Sequence, residues 1–386
     1  MTQLAKTLTE IEMQGIDSQY NMADGHAYQD LSVSQSAIIE KLPEIWKQSA
    51  SKKQHDTERD FLFQFSKLAK SSSIHTYKHF RICPTASNSI DIVAAYFKAT
   101  GKCVALIEPT FDNLFLILKR RSVPLVSVPE SVIYEGDLDT LLPLCIDAFF
   151  LVNPNNPTGK LLSEIRFKTI VHWCATHKKM LILDSTFRFF YPQSYDQFQL
   201  LLDSDISFIS IEDTGKVWPT QDLKASLLIF SEDISDLMHT IYEEIYLCVS
   251  NFQLEILISF MQNTENIGLE TAVWREVEQR RLAFRKTIES SIFEIHKSAT
   301  ESNISVEWVT FDPRLGNDFQ MMCVFKNEGL VVLPGRLFYW NSSNHPGHQQ
   351  FIRFSLLKPR AQFDASLTCI SQAINVVQDS FLEVMK

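Results

Sequence analysis

From about residue 80 to 230 the chain alternates two patterns of apolar residues. SIDIVAAYFKAT (89–100), DNLFLILKRRS (112–122) and LLSEIRFKTIVHWCATHKK (161–179) carry them at helical spacing, the last with a capping-box-like start at Ser163. Between these lie the strand-like runs KCVALIEP, VPLVSVPE, DAFFLVNP and MLILDST. The last two show no polar alternation, so they predict strands buried on both faces of a covered sheet. The reading is an α/β fold with a mostly parallel sheet. Ligands of such sheets bind beyond the carboxyl ends of the strands, where NPNNPTG, DSTF and EDTGK fall.

After about residue 235 the pattern is helical through RRLAFRKTIES. It then predicts strands at ISVEWVTF, MMCVF and GLVVLP and a final helix over ASLTCISQAINVVQDSFLEV. This suggests a smaller α+β domain. The expected organisation is an N-terminal segment covering the site (1–45), a large domain (46–280) and a small C-terminal domain (281–386).

At 386 residues the chain is long enough for these parts. A net charge of −10 argues against nucleic-acid binding, which needs a basic face. No apolar run approaches the roughly 20 residues of a membrane span, and the N-terminus lacks a signal-peptide core. The seven cysteines are scattered, with no CxxC or Cys/His cluster for a metal. They read as reduced thiols of a cytoplasmic protein.

LVNPNNPTGK (151–160) predicts a strand and then a stiff turn, in which prolines fix φ and Gly159 permits positive φ. LILDST ends a strand at Asp184, and IEDTGK places Lys216 in a loop after another strand. These lie 216 − 184 = 32 positions apart. Taken singly, Asp184 reads as a helix cap and Lys216 as a solvated lysine, whereas the NPNNPTG turn by itself already points to a functional site over a plain Asn/Pro-rich turn.

Together these motifs resemble fold-type I pyridoxal-phosphate enzymes, the class I/II aminotransferase superfamily. The resemblance implies a mostly parallel seven-stranded sheet, a pyridoxal 5'-phosphate cofactor, small amino-acid substrates and a homodimer. It implies that Lys216 carries the cofactor and moves protons at Cα, and that Asp184 pairs with the ring nitrogen. It makes Asn156 the partner of the ring oxygen and Phe111, in IEPTFDN, the stacked ring. The turn in ICPTASNS would bind phosphate through N–H groups of Ala86, Ser87 and Asn88. Arg353, in FIRFSL, would grip the substrate's α-carboxylate.

Three positions depart from ordinary transaminases: Phe187 replaces a tyrosine, Asp213 a hydroxyl residue and Lys224 a phosphate-binding arginine. These departures, with TLTEIE and NMADGHAYQ near the N-terminus, resemble the enzymes that process L-arginine in natural-product pathways. That group comprises the O2-dependent oxidases/hydroxylases and the cyclases of the enduracididine and capreomycidine type. The resemblance implies that Thr9, Glu12, Asp24 and Asp213 meet the substrate and that His26 is a proton shuttle. It implies removal of protons from Cα and Cβ. Tyr28 departs from the oxidases, which carry arginine there, and tips the expectation toward cyclodehydration of γ-hydroxyarginine. The alternatives are an O2-dependent arginine oxidase, an ordinary aminotransferase and a non-catalytic cofactor-binding protein.

Overall fold

The computed structural model describes residues 7–341, 345 and 347–384. The first six residues of the expected N-terminal segment lie outside this set. The strands are β1 (Tyr20–Asn21), β2 (Phe80–Cys83), β3 (Val104–Glu108), β4 (Leu125–Pro129), β5 (Ala148–Val152), β6 (Met180–Asp184) and β7 (Phe208–Asp213). They continue with β8 (Ser226–Phe230), β9 (Phe293–Ile295), β10 (Val306–Phe311), β11 (Leu330–Val331), β12 (Leu333–Pro334) and β13 (Phe351–Ser355).

Seven of these build one sheet in the order β2-β8-β7-β6-β5-β3-β4. Strands β3 to β7 pair in parallel, whereas β8 runs antiparallel to both its neighbours. The unbroken apolar runs are buried on both sides. Phe149 and Leu151 face a core shared with helices Gln54–Leu68, Glu164–Thr176 and Asn251–Ile267. Ala148, Phe150 and Val152 face the opposite core, shared with helices Ala86–Thr100, Asp112–Arg120 and Ser235–Glu243. Strand order reverses between β3 and β5, the crevice where a parallel sheet takes its ligand.

A second sheet, β12-β13-β10-β9, is antiparallel throughout. The N-terminal segment is joined to this part. β1 pairs in parallel with β11, with Tyr20 opposite Leu330. Met22 N donates to Val331 O, and Ser355 N donates to Met22 O.

Two local expectations are corrected. MMCVF is helical, within Asp318–Asn327. Its start is fixed by a capping box in which the Asn317 side chain accepts from Gln320 N and Gln320 Oε1 accepts from Asn317 N. A short apolar run does not distinguish strand from helix, and here the cap decides. Ser163 does cap its helix, accepting from Arg166 N at 3.1 Å, but no reciprocal box forms. The third helical residue is Arg166, whose guanidinium instead binds the carbonyls of Val132, Ile133 and Gly136.

Candidate active site

The carboxyl ends of β5, β6 and β7 lie side by side, with Val152 opposite Asp184 and Asp184 opposite Ile211. Beyond them opens a cleft of about 220 Å³.

Each predicted cofactor-facing side chain is held by a local device. The turn after β5 wraps a buried carboxylate: Glu130 Oε2 accepts from Asn155 Nδ2 at 2.5 Å and from Thr158 Oγ1 at 2.7 Å. Gly159 has φ of 71°, and a Cβ there would overlap the Ser302 side chain. This clamp leaves Asn156 lining the cleft, its Oδ1 buried and unpartnered. Asp184, at the end of β6, also lines the cleft and accepts from Thr186 N at 3.0 Å. Burial pushes its carboxyl up to about 6.

Lys216 follows β7 in a loop anchored on both sides. Gly215 N donates to Asp213 Oδ1 at 3.2 Å, while Val217 and Trp218 are buried. Trp218 Nε1 donates to Thr264 Oγ1 at 2.8 Å. The lysine therefore turns into the cleft from a fixed backbone, together with Asp213 and Phe111.

Ala86 and Ser87 line the cleft at the N-terminus of helix Ala86–Thr100, where free N–H groups and the helix dipole favour an anion. Asn88 differs from expectation. Its N–H is engaged by the Thr85 cap, at 3.1 Å from Thr85 O and 3.2 Å from Thr85 Oγ1. Thr85 itself, which the sequence reading passed over, lines the cleft instead.

The N-terminal segment closes the other side. Helix Leu8–Ile16 presents Thr9 and Glu12 to the cleft and buries Leu8 and Ile11 behind them. Glu12 Oε1 lies 3.6 Å from Arg353 Nη2. Burial raises the Glu12 carboxyl, against the pull of Arg353 and Lys216. Arg353 is 1% exposed, donates to Ala23 O and has an unpartnered Nε.

Asp24 was expected to face the substrate. It is buried outside the cleft lining, with Oδ1 2.7 Å from His26 Nδ1. The same oxygen accepts from His26 N at 2.9 Å. A buried carboxylate takes the nearest available donors, and here they belong to the segment it sits in. Burial acts to raise the Asp24 carboxyl, but His26 holds it well below the usual range.

His26 lines the cleft with Nε2 2.9 Å from Lys224 Nζ, while Nδ1 lies close to Asp24 without hydrogen-bond geometry. An ammonium can only donate, so Nε2 accepts and the neutral ring carries its proton on Nδ1, toward Asp24. The charge of Lys216 and then burial lower the His26 pKa, against Asp24. Lys224 lines the cleft, but its ammonium is shared between His26 and Asp222, 3.3 Å away.

Three further groups carried no sequence signal. Lys358 is buried and donates to Asp24 O at 2.7 Å; burial brings its amine down to about 8. Asp222 sits at φ 65° and accepts from the Tyr28 hydroxyl at 3.0 Å. Tyr28 is therefore tied outside the cleft lining. Asp112 accepts a hydrogen bond from the N-terminal helix.

The buried Asp184 predicts a stability cost. Its native pKa lies above the ordinary value, so the native state binds more protons than the unfolded one between about pH 4 and 6. Stability falls as pH rises through that window and stays lower above it. Cofactor-free Asp184→Asn escapes this loss. In urea melts it should exceed wild type by roughly 2–4 kcal/mol near pH 8, a gap that closes toward about pH 4. An equal gap at both values would mean that Asp184 is not the titrating group.

Residues 49–365 match the family of class I and II aminotransferases. The structure of MppP soaked with the product 2-ketoarginine is 31% identical in sequence, with a TM-score of 0.85, covering 92% of this chain and 99% of that one. The aspartate aminotransferase of Thermus thermophilus with maleate shares the fold, with a TM-score of 0.78 at 10% identity over 96% of this chain and 97% of that one. Histidinol-phosphate aminotransferase from Cytophaga hutchinsonii is 24% identical over 156 residues, 39% of this chain. That match spans 43% of the relative's length.

Proposed function

The chain belongs to the class I and II aminotransferase family, whose cofactor is pyridoxal 5'-phosphate, and from that premise we propose that it acts on an L-arginine-type amino acid. The observation carrying this reading is the placement of Glu12 and Asp213, with Thr9, around the same cleft as Lys216. A guanidinium entering a site this buried needs carboxylates.

The residues present fit the cofactor. A lysine, a buried carboxylate, an unpartnered asparagine oxygen and a helix N-terminus converge on one cleft. Ala86 and Ser87 would hold the phosphate, Phe111 would stack on the ring, Asn156 would meet its oxygen and Asp184 its nitrogen. When bound, the cofactor supplies a conjugated ring that takes up the electron pair left as a proton departs Cα. Lys216 takes and returns that proton. Arg353 orients the α-carboxylate, and Glu12 and Asp213 hold the guanidinium. His26, positioned by Asp24, accepts a second proton, from Cβ, once Lys224 releases Nε2. A homodimer, a cytoplasmic setting and the division into 1–45, 46–280 and 281–386 belong to the same proposal.

Two outcomes of this chemistry differ in product. In oxidation, arginine, O2 and water give the 2-keto acid, ammonia and hydrogen peroxide. Likeness to MppP, whose product is 2-ketoarginine, supports it. In cyclodehydration, γ-hydroxyarginine loses water as a guanidine nitrogen bonds Cγ. Tyr28 favoured that outcome in the sequence, but it bonds Asp222 outside the cleft lining, so oxidation now ranks first. The test is to incubate the holoenzyme with arginine and with both γ-hydroxyarginine epimers, with and without O2, and to weigh the products. A 2-keto acid formed only with O2 supports oxidation, and loss of one water without O2 supports cyclisation. Transfer of the amino group to an added keto acid, without either product, overturns both in favour of an ordinary aminotransferase.

Asp213→Ser separates guanidinium recognition from cofactor binding. The variant should keep the cofactor's visible absorbance. It should lose about 2–3 kcal/mol of preference for arginine over norleucine, measured as a ratio of kcat/KM, because the buried cation loses its partner. Loss of the cofactor with arginine preference intact would assign Asp213 to the cofactor instead.

A further inference from the structure

Asp112 follows Phe111 at the start of helix Asp112–Arg120. It is 6% exposed and does not line the cleft. Its Oδ2 accepts the N–H of Leu8 at 2.8 Å, across 104 residues of sequence, and its Oδ1 is unpartnered. Leu8 is the first residue of helix Leu8–Ile16. The opening N–H groups of a helix have no partners within it, and together they form its positive end. Thr7 takes the N–H of Glu10, and Asp112 takes that of Leu8.

Leu8 and Ile11 also pack in a cluster with Ala23, Trp308, Leu333 and Phe338, against which Phe111 is packed. Asp112 adds a polar tie to the helix from the segment that carries Phe111, beyond the carboxyl end of β3. Thr9 is the next residue after Leu8, and Glu12 lies one turn on; both face the cleft. A shift at Leu8 therefore moves both.

We infer that Asp112 is a positioning residue. Its carboxylate clasps the start of helix Leu8–Ile16 to the Phe111 segment and so sets where Thr9 and Glu12 meet the substrate's side chain. The clasp is a feature of the protein alone; only the identity of that side chain rests on the arginine reading.

The test uses the holoenzyme of full length, with Asp112→Ala, Asp112→Asn and Leu8→Pro. Asparagine keeps an acceptor for Leu8 N. Proline removes that N–H at the first helical position, where a helix tolerates it. Hydrogen exchange over residues 7–16, read without substrate, should quicken about tenfold in Asp112→Ala and return most of the way in Asp112→Asn. KM for arginine should rise about tenfold in Asp112→Ala while kcat stays within about twofold. In the Leu8→Pro background, Asp112→Ala should add little, because the bond is already gone and the lost Leu8 packing is common to both arms. Unchanged exchange in Asp112→Ala overturns the clasp, as does a full further effect on top of Leu8→Pro. If arginine is not turned over by any form, the exchange measurements still decide the clasp. If the clasp fails while arginine is turned over, the functional reading stands without it.

Discussion

Lys216→Ala will lose the visible absorbance of lysine-bound cofactor and at least about a thousandfold in turnover, while remaining folded. The fold survives because the loop is held by its neighbours, buried Val217 and the Trp218–Thr264 hydrogen bond, and not by the lysine. Borohydride reduction of wild type followed by peptide mapping should place the cofactor's mass on Lys216. A label on another lysine would remove Lys216 from its role. The substitution carries a second signature. The charge of Lys216 is the largest influence lowering the His26 pKa, so deleting it should raise that pKa. An NMR titration of His26 in cofactor-free protein reads the change without any activity. A His26 that titrates identically in both forms would mean that the amine does not reach it.

Arg353→Ala will weaken binding of every α-amino acid tested by about 2–5 kcal/mol, since the carboxylate is common to all of them. The effect should be nearly uniform across arginine, norleucine and lysine, in contrast to the selective loss at Asp213. In the structure Arg353 has no substrate and lies 3.6 Å from Glu12. Removing it leaves the buried Glu12 without its nearest cation, so that carboxyl should rise further. Arg353 also donates to Ala23 O, so the competing explanation is a slackened N-terminal segment. Equilibrium binding, followed by change in the cofactor's spectrum, separates the two. A loss confined to arginine would point to displaced Thr9 and Glu12, whereas a loss for all amino acids points to the carboxylate.

The large sheet was legible because its strands are apolar on both faces and its helices keep a clear period. The motifs at strand ends were legible for a related reason: Asn156, Asp184 and Lys216 each follow directly from a strand whose position the pattern set. What escaped depended on distant contacts. Nothing in LLKPR marks Lys358 as buried, since its partner Asp24 O lies 334 residues away. Asp112 looks like an ordinary first-turn acid, yet its carboxylate serves another helix. Asp24 was placed correctly near His26 by sequence proximity but assigned to the substrate, because sequence does not reveal which donor a carboxylate will face. Tyr28 carried weight as a departure in the pattern, and sequence does not reveal that its hydroxyl bonds Asp222 away from the cleft lining.

The parallel pairing of Tyr20 with Leu330 has a consequence for assembly during synthesis. The residues proposed to face the cofactor run from Ala86 to Lys224, a stretch complete well before the chain ends. The residues proposed to meet the substrate are split, with Thr9 and Glu12 emerging among the first residues made and Arg353 among the last. Their docking surface, β11 and β13, does not exist until more than three hundred residues have followed β1. Loop closure over such a separation comes late in folding. The growing chain therefore completes the part proposed to hold the cofactor before the part proposed to choose what to do with it.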